Sequence, residues 1–208
     1  MKMMTNLLAV SKYISLAIGC LAISSCSVFS PVKLKPDRTY IIDSEPAAVV
    51  KKRKRNVTLL VMKPDTVSAY DTKEMAYTRK PFEVNFYTQS HWVERPEEML
   101  QPLIVDTLQR THYFHAIVSP PFSGRYNYIL NTQILKLEQD FTQTPAILKF
   151  YIRTQLTKAS SNRILNISVY KIEQPIQACS AYSGVIAANI ATVRFLRALS
   201  MQTIRTLN

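Results

Sequence analysis

The feature that most limits how this chain can fold is a strict alternation of apolar and polar side chains late in the sequence. In residues 146–156, AILKFYIRTQL, the apolar Leu148, Phe150, Ile152 and Leu156 are separated by polar neighbours such as Lys149, Arg153 and Gln155. A period of two residues is typical of a β-strand with one face in the core and the other nearer to solvent. The alternation therefore predicts a sheet with one covered face.

Several other segments carry strand signals. Strands are predicted in residues 39–43, 56–64, 82–88, 126–141 and 163–173. The side chains predicted to face the core are Phe82, Val84 and Phe86 in residues 82–88, and Leu165, Ile167 and Val169 in residues 163–173. Residues 126–141 are long enough either for a bent strand or for one that runs from the edge of the sheet to its centre.

Two helices are predicted beside this sheet. The first, in residues 95–111, has Pro96 and two glutamates in its first turn, and Pro102 predicts a kink or a later start. The second spans residues 183–206, and its predicted core stripe is Ile186, Ile190, Val193, Leu196 and Ile204. The order of elements predicts an α+β fold in which a mainly antiparallel sheet carries both helices on one face.

Glycine content and charge restrict the classes of function. The chain has only three glycines, and no two of them fall in one phosphate-binding loop, which argues against nucleotide binding. The formal net charge is +12, which favours anionic partners. The densest basic run consists of Lys51, Lys52, Arg53, Lys54 and Arg55. It is either a solvated loop or a contact for anionic headgroups or an acidic partner, and a secreted protein does not meet nucleic acid.

The first residues predict an exported lipoprotein. An uncharged apolar run in residues 13–23 has the length of a signal-peptide core and is too short to cross a bilayer. Ile23, Ser24 and Ser25 precede Cys26, an arrangement that resembles the bacterial lipobox. Cys26 is therefore the predicted lipidation site, with residues 1–25 as signal peptide, 26–38 as lipidated terminus and tether, and 39–208 as one domain. The alternatives are a plain signal peptide or anchor, and a Cys26–Cys179 disulfide.

Catalytic chemistry finds little support in the sequence. His112 and His115 are three residues apart, but no third ligand stands near them, so no metal site is predicted. A catalytic His91 would need an orienting acid and a nucleophile, and no serine or cysteine stands in a recognisable nucleophile motif. We expect no cofactor and no enzymatic activity; a secreted enzyme, as the third class considered, would require a polar pocket lined by histidines or acids.

Four segments make the chain resemble a known family. They are MAYT around Tyr77, HWVERP around Trp92, VSPPF ending at Phe122, and YSGVIAAN from Tyr182 to Asn189. In this order the chain resembles the auxiliary lipoproteins of ABC-type transport systems that work with MCE-domain proteins, a group related to the paraquat-inducible lipoproteins. The resemblance covers roughly residues 39–207.

This resemblance implies a periplasm-facing lipoprotein that serves a transporter of lipid or other hydrophobic molecules between the envelope membranes. Its partners would be MCE-domain, permease and ATPase subunits, besides the membrane itself and, in an assembly, further copies of the chain. The expected partner surface consists of Tyr77, Trp92, Pro120, Pro121 and Phe122. Ser27 after Cys26 predicts the outer membrane. The alternative function is a scaffolding or activator lipoprotein of cell-wall machinery, which differs only in its partner.

Overall fold

A computed structural model describes residues 36–208 of the chain. The predicted signal peptide, Cys26 and most of the tether lie outside the described residues. The strands are β1 (Arg38–Tyr40), β2 (Thr58–Val61), β3 (Asp65–Thr66), β4 (Glu74–Thr78), β5 (Asn85–Trp92), β6 (Ala116–Val118), β7 (Tyr128–Asp140), β8 (Ile147–Lys158) and β9 (Arg163–Pro175). The helices are α1 (Pro96–Gln109) and α2 (Ala181–Leu207), and a 3₁₀ turn covers Ser68–Tyr70.

Strand β7 organises the sheet. One of its edges pairs with β8 along its whole length, in antiparallel orientation, and β8 pairs in the same way with β9. Its other edge pairs in parallel with three short strands in succession, β2, β3 and β4. Strand β6 extends the sheet beyond β2, and β5 and β1 extend it beyond β4.

The prediction of a mainly antiparallel sheet is therefore wrong, because the sheet is mixed. Only β4–β5, β7–β8 and β8–β9 are antiparallel, whereas β1–β5 and the pairs made by β2, β3 and β4 with their other neighbours are parallel. Alternation in a sequence reports that one face of a strand is buried, but it carries no information about the direction of the neighbouring strand. The α+β class itself is confirmed.

The core lies between the sheet and the two helices, which contact each other. Phe195 of α2 is fully buried and packs edge-on against Phe150 of β8, at a ring-centroid distance of 6.3 Å, and against Tyr170 of β9, at 5.3 Å. In α1, Leu100, Ile104 and Leu108 supply the buried side at helical spacing. Burial of such large apolar side chains contributes roughly 1.5–3 kcal/mol each to folding.

Helix α1 begins at Pro96 as predicted and continues through Pro102 to Gln109. Pro102 is exposed, so its ring faces solvent while the opposite side of the helix packs on the core. The Glu98 carboxylate accepts a hydrogen bond from the Arg95 N–H at 3.4 Å, which satisfies one of the free donors at the start of the helix. Tertiary packing of the apolar side thus outweighs the cost of an internal proline.

Two predicted strand faces are wrong. Phe82 has a φ of 67° and is fully exposed in the turn before β5, and Val84 is also exposed, so residues 82–84 are not part of the strand. In β9, Ile167 and Val169 are exposed, and the side chains that face the core are instead Tyr170 and Ile172. The register explains this reversal: Ile152 and Phe150 of β8 face inward and pair with Tyr170 and Ile172.

The core stripe predicted for α2 is also wrong in its first half. Ile186 and Ile190 are exposed, while Leu196 and Ile204 are buried as expected. The side that faces the sheet in the first half of the helix carries small residues instead, namely Ala181, Gly184, Ala187, Ala188 and Ala191. Small side chains let the helix approach the sheet closely, and the larger isoleucines are left on the outer side.

Candidate functional site

An open groove of about 520 Å³ lies between the N-terminal segment, residues 39–44, and the first half of α2. Its apolar wall includes Ile41, Tyr182, Ile186 and Ile190, which are each 43–58% exposed. The rings of Tyr40 and Tyr182 approach to 6.0 Å across the groove. Side chains of this size are usually buried, so together they form an apolar surface that residues 36–208 leave exposed.

Asn189 fastens one wall of the groove to the other. Its side-chain Oδ1 accepts hydrogen bonds from the N–H groups of Asp43, at 3.0 Å, and Ser44, at 3.1 Å. Its Nδ2 donates to the carbonyl of Ile41 at 3.1 Å. A single amide therefore holds the backbone of the N-terminal segment against α2, and the shape of the groove depends on it.

The start of α2 approaches β7 unusually closely. Gly184 lies over Gln139, and a Cβ atom at residue 184 would fall 2.0 Å from the side-chain Cδ of Gln139. Gln139 is buried and accepts a hydrogen bond from the Tyr87 hydroxyl at 3.2 Å. Only glycine allows this contact without displacing Gln139. Gly184 of the YSGVIAAN segment thus has a packing role.

Tyr77 belongs to an aromatic cluster at the same end of the molecule. Its ring lies 4.6 Å from that of Tyr87 and 6.2 Å from that of Phe141, and the Arg79 guanidinium lies 5.5 Å from its centroid. Burial, with a smaller contribution from Tyr77, raises the pKa of Tyr87 to about 12. The half-buried Tyr77 is mainly engaged in contacts within the domain.

Trp92 does not join a partner surface. Its side chain is 4% exposed and forms part of the hydrophobic core. The physical reason is that β5 ends at Trp92 and α1 begins four residues later, so the indole is enclosed between the sheet and the helix side of the core. Trp92 is therefore too deeply buried to belong to the predicted partner surface.

Pro120, Pro121 and Phe122 lie in the loop between β6 and β7, and all three are exposed. The Phe122 ring is 40% exposed and packs over Gly124, where a Cβ would lie 2.4 Å from the ring. The loop precedes Tyr128, whereas Tyr77 pairs with Gln139 near the far end of β7. Eleven residues of strand, about 35 Å, separate the two levels, so the structure does not bring Tyr77 and Phe122 together.

The five basic residues Lys51, Lys52, Arg53, Lys54 and Arg55 are all exposed. Their backbone is fixed, because the Lys52 N–H donates to the carbonyl of Thr111 at 3.0 Å and the Arg55 N–H donates to that of Tyr113 at 2.7 Å. Within residues 36–208, none of the five forms an ion pair with an acid. Four of them line an open cleft of about 580 Å³ with Tyr113 and Asn208.

Two buried carboxylates near the end of β7 are bound by side chains of the same domain. Glu138 is buried and accepts hydrogen bonds from the Tyr70 hydroxyl at 2.6 Å and from Lys136 Nζ at 2.9 Å. Asp140 is buried and bound by Lys149 and Thr142. Burial alone would raise the pKa of Asp140, but these hydrogen bonds outweigh it and hold the pKa at about 2.

Histidines and cysteines do not converge in the described part of the chain. His112 and His115 are both exposed, and residues 36–208 contain no group of three histidine, cysteine, aspartate or glutamate side chains that could hold a metal ion. Cys179, one residue before the Ser180 cap of α2, is an exposed free thiol. The alternative prediction was a Cys26–Cys179 disulfide, and Cys26 lies outside the described residues.

Neither the groove nor the role of Asn189 in holding it together was predicted from the sequence. Two signals were present: the small residues of α2 recur at helical spacing, and a polar Asn189 stands in the middle of an apolar stretch. By length and composition alone, Ala181–Leu207 is apolar enough to span a membrane, yet 56% of its most apolar window is buried in the domain. It is therefore a core helix that is apolar on its outer side as well.

Comparison with known proteins identifies the family. A family model described as "ABC-type transport auxiliary lipoprotein component" matches residues 40–199. No match is found among curated proteins.

Solved structures share the fold. Protein XCC0632 from Xanthomonas campestris, of family DUF330, superposes with a TM-score of 0.70 at 17% identity, covering 81% of this chain and 94% of that one. An uncharacterized protein gives 0.64 at 10% identity, with 81% and 99% covered. The hypothetical protein CT253 from Chlamydia trachomatis gives 0.50 at 8% identity, with 72% and 96% covered. At these identities the likeness concerns the fold alone.

Proposed function

The chain belongs to the family of ABC-type transport auxiliary lipoprotein components, and from this premise we propose that it is the non-enzymatic auxiliary subunit of an MCE-type ABC transporter. In this role it serves the transport of lipid or other hydrophobic molecules between envelope membranes, as related paraquat-inducible lipoproteins would. The observation that carries the proposal is the family match, which runs from Tyr40 in β1 to Leu199 in α2 and thus includes nearly the whole described domain.

We further propose that a lipid on Cys26 holds this domain at the periplasmic face of the outer membrane. Ten residues, 26–35, separate the lipid from Pro36, where the described domain begins. At most about 3.5 Å per residue, such a segment reaches roughly 35 Å. The domain would therefore stay within one molecular diameter of the membrane surface.

The partner surface proposed for the transporter is the end of the domain farthest from the anchored terminus. This distal end is defined by the basic residues 51–55 and the exposed loop 119–127. It combines Phe122 and two prolines with five cations that form no ion pair within residues 36–208, which suits an acidic face on an MCE-domain subunit. Charged residues speed association with an oppositely charged partner, and an exposed aromatic side chain can anchor a tightly packed contact.

A non-enzymatic role is supported by the way the polar groups are used. The buried acids Glu97, Glu138 and Asp140 are bound to Thr66, Tyr70 and Lys149 within the domain. The groove beside α2 is lined mainly by apolar side chains, with Asn189 committed to backbone hydrogen bonds. Such a surface favours binding over acid–base chemistry.

The decisive experiment is affinity purification of the tagged lipoprotein from native membranes, with subunits identified by mass spectrometry. Co-purification of MCE-domain, permease and ATPase subunits is the expected result. Recovery of a peptidoglycan synthase instead, with no transporter subunit, would contradict the proposal and point to cell-wall machinery.

Matched variants test the distal end. Phe122→Ala together with Lys52→Glu and Lys54→Glu should abolish co-purification, because both the aromatic anchor and the charge are lost. The control is Phe82→Ala with Arg79→Glu and Lys80→Glu, an equal set of exposed residues in the β4–β5 turn. Equal recovery with both sets would contradict the assignment of this surface.

A further inference from the structure

The outer side of α2 is a continuous apolar and basic surface. Its members are Tyr182, Ile186, Ile190, Val193, Arg194, Arg197, Met201 and Arg205, and we call them the outward face of α2. At about 100° per residue they fall within an arc of roughly 140° along the whole helix. All of them are exposed except the half-buried Val193, so the domain itself does not cover this face.

The charge of this face has one sign. Helix α2 contains no acidic residue in its 27 positions and carries three exposed arginines. Arg194 donates to the carbonyl of Glu173 at 3.0 Å and to the Gln174 side chain, both of which are uncharged acceptors. One acid, Asp43, lines the groove, and it belongs to the N-terminal segment and not to α2. Along the helix the apolar side chains come first and the arginines lie toward the C-terminal end, with Met201 between them. Apolar side chains combined with basic ones are typical of helices that lie in a membrane interface.

The position of the face relative to the chain terminus is the second observation. The described chain begins at Pro36, two residues before β1, and residues 39–44 form one wall of the groove whose other wall is the outward face. The exposed Ile41 extends the apolar surface toward that terminus. A lipid anchor ten residues before this terminus would therefore keep this face close to the bilayer.

We propose that the outward face of α2, together with Ile41, docks on the anionic surface of the membrane that holds the lipid anchor. The apolar side chains enter the interface between headgroups and acyl chains, and Arg197 and Arg205 contact anionic headgroups. This proposal rests on the proposed lipid anchor and adds an orientation to it: α2 lies along the membrane. The short tether and the one-sided charge favour a membrane over a protein as the occupant.

The test uses the mature, lipid-anchored full chain reconstituted into vesicles of phosphatidylethanolamine and phosphatidylglycerol. A polarity-sensitive fluorophore is attached at Ile190→Cys in a Cys179→Ser background, and lipids brominated on the acyl chain serve as quenchers. The control position is Lys171→Cys in β9, whose neighbours Tyr170 and Ile172 face the core, so that Lys171 points away from α2. Strong quenching at residue 190 and little at residue 171 is the expected result.

Charge reversal tests the headgroup contact. Arg197→Glu with Arg205→Glu should lower the docked population by roughly tenfold or more, and vesicles of phosphatidylcholine alone should have a similar effect. The matched control, Lys158→Glu with Arg163→Glu, changes the net charge equally at the β8–β9 turn and should leave quenching unchanged.

Three results would overturn the docking proposal: equal quenching at both probe positions, insensitivity to charge reversal, or shielding of residue 190 in a sedimenting oligomer. The last of these would make a second copy the occupant. Anchoring of the protein by its lipid is measured separately, by flotation of the protein with the vesicles. A chain that floats without quenching at residue 190 contradicts docking alone, whereas a chain that does not float contradicts the lipid anchor of the proposed function.

Discussion

At the scale of single residues, Asn189 decides the shape of the groove. Its amide makes the side-chain bonds that hold Ile41, Asp43 and Ser44 to α2. Asparagine suits this task because one side chain offers an acceptor and a donor together. The residue therefore connects the YSGVIAAN segment of the sequence to a surface feature.

We predict that Asn189→Ala releases the N-terminal segment from α2. The lost hydrogen bonds should lower the free energy of unfolding by about 1–3 kcal/mol. Hydrogen exchange of the Asp43 and Ser44 amides should become at least roughly tenfold faster, because the segment can open without first breaking these hydrogen bonds. The control is Asn131→Ala at an exposed position of β7. Unchanged exchange in the Asn189 variant would refute the role given to this residue.

Asp140 makes stability depend on acid pH. Its pKa lies at about 2 in the folded protein against an ordinary 3.8, so folding favours the charged form. The associated stabilisation is present above about pH 4 and is lost as the pH falls toward 2. It amounts to about 2 kcal/mol. Urea unfolding between pH 5 and pH 2 should show this loss, which Asp140→Asn removes and Asp37→Asn at an exposed position retains.

At the scale of elements, β9 shows how a strand can be recognised and yet be placed with the wrong face inward. Both of its sides carry apolar residues, with Ile167 and Val169 on one side and Ile172 on the other. The period of two residues is the same for both faces, so only pairing with β8 decides which one is buried. Residues 126–141 and 146–156, by contrast, were predicted correctly as a long strand and as a strand with Phe150 and Ile152 inward.

This reversal predicts unequal effects of equivalent substitutions in β9. Val169→Thr should change the free energy of unfolding by no more than about 0.5 kcal/mol, because Val169 is exposed. Ile172→Thr should cost about 2–4 kcal/mol, because it leaves a cavity and buries a hydroxyl. Chemical denaturation measures both values. A larger loss of stability for Val169→Thr than for Ile172→Thr would contradict the observed burial and support the inward face that was predicted from the sequence.

At the scale of the whole molecule, α2 and β7 connect two ends with different surfaces. The start of α2, the end of β7 and Tyr77 lie at the end where the described chain begins, while Asn208, Tyr113 and the basic residues lie at the other. The candidate partner residues are divided between these ends. Their separation lets one domain contact the membrane along α2 while offering the distal end to a transporter.

The separation can be measured by pulsed electron resonance between spin labels. Labels on Cys179, just before α2, and on Lys54→Cys, in the cleft beside Asn208, should lie about 40 Å apart, the length of a 27-residue helix. A control pair on Cys179 and Lys80→Cys should give a clearly shorter distance, because the turn after Tyr77 and Arg79 lies near Cys179. Similar distances for both pairs would contradict the two-ended arrangement.

The sequence by itself determined the α+β class, the two helices, the alternating strand β8 and the family, because these depend on local periodicity and on short segments. Only the tertiary structure decided the strand directions, the inner face of β9, the burial of Trp92 and the outward position of Ile186 and Ile190. These depend on which distant segments meet: Gly184 and the alanines of α2 fit against the sheet, so the larger isoleucines remain outside. Periodicity shows that a helix has an apolar side, but packing selects which side the core takes.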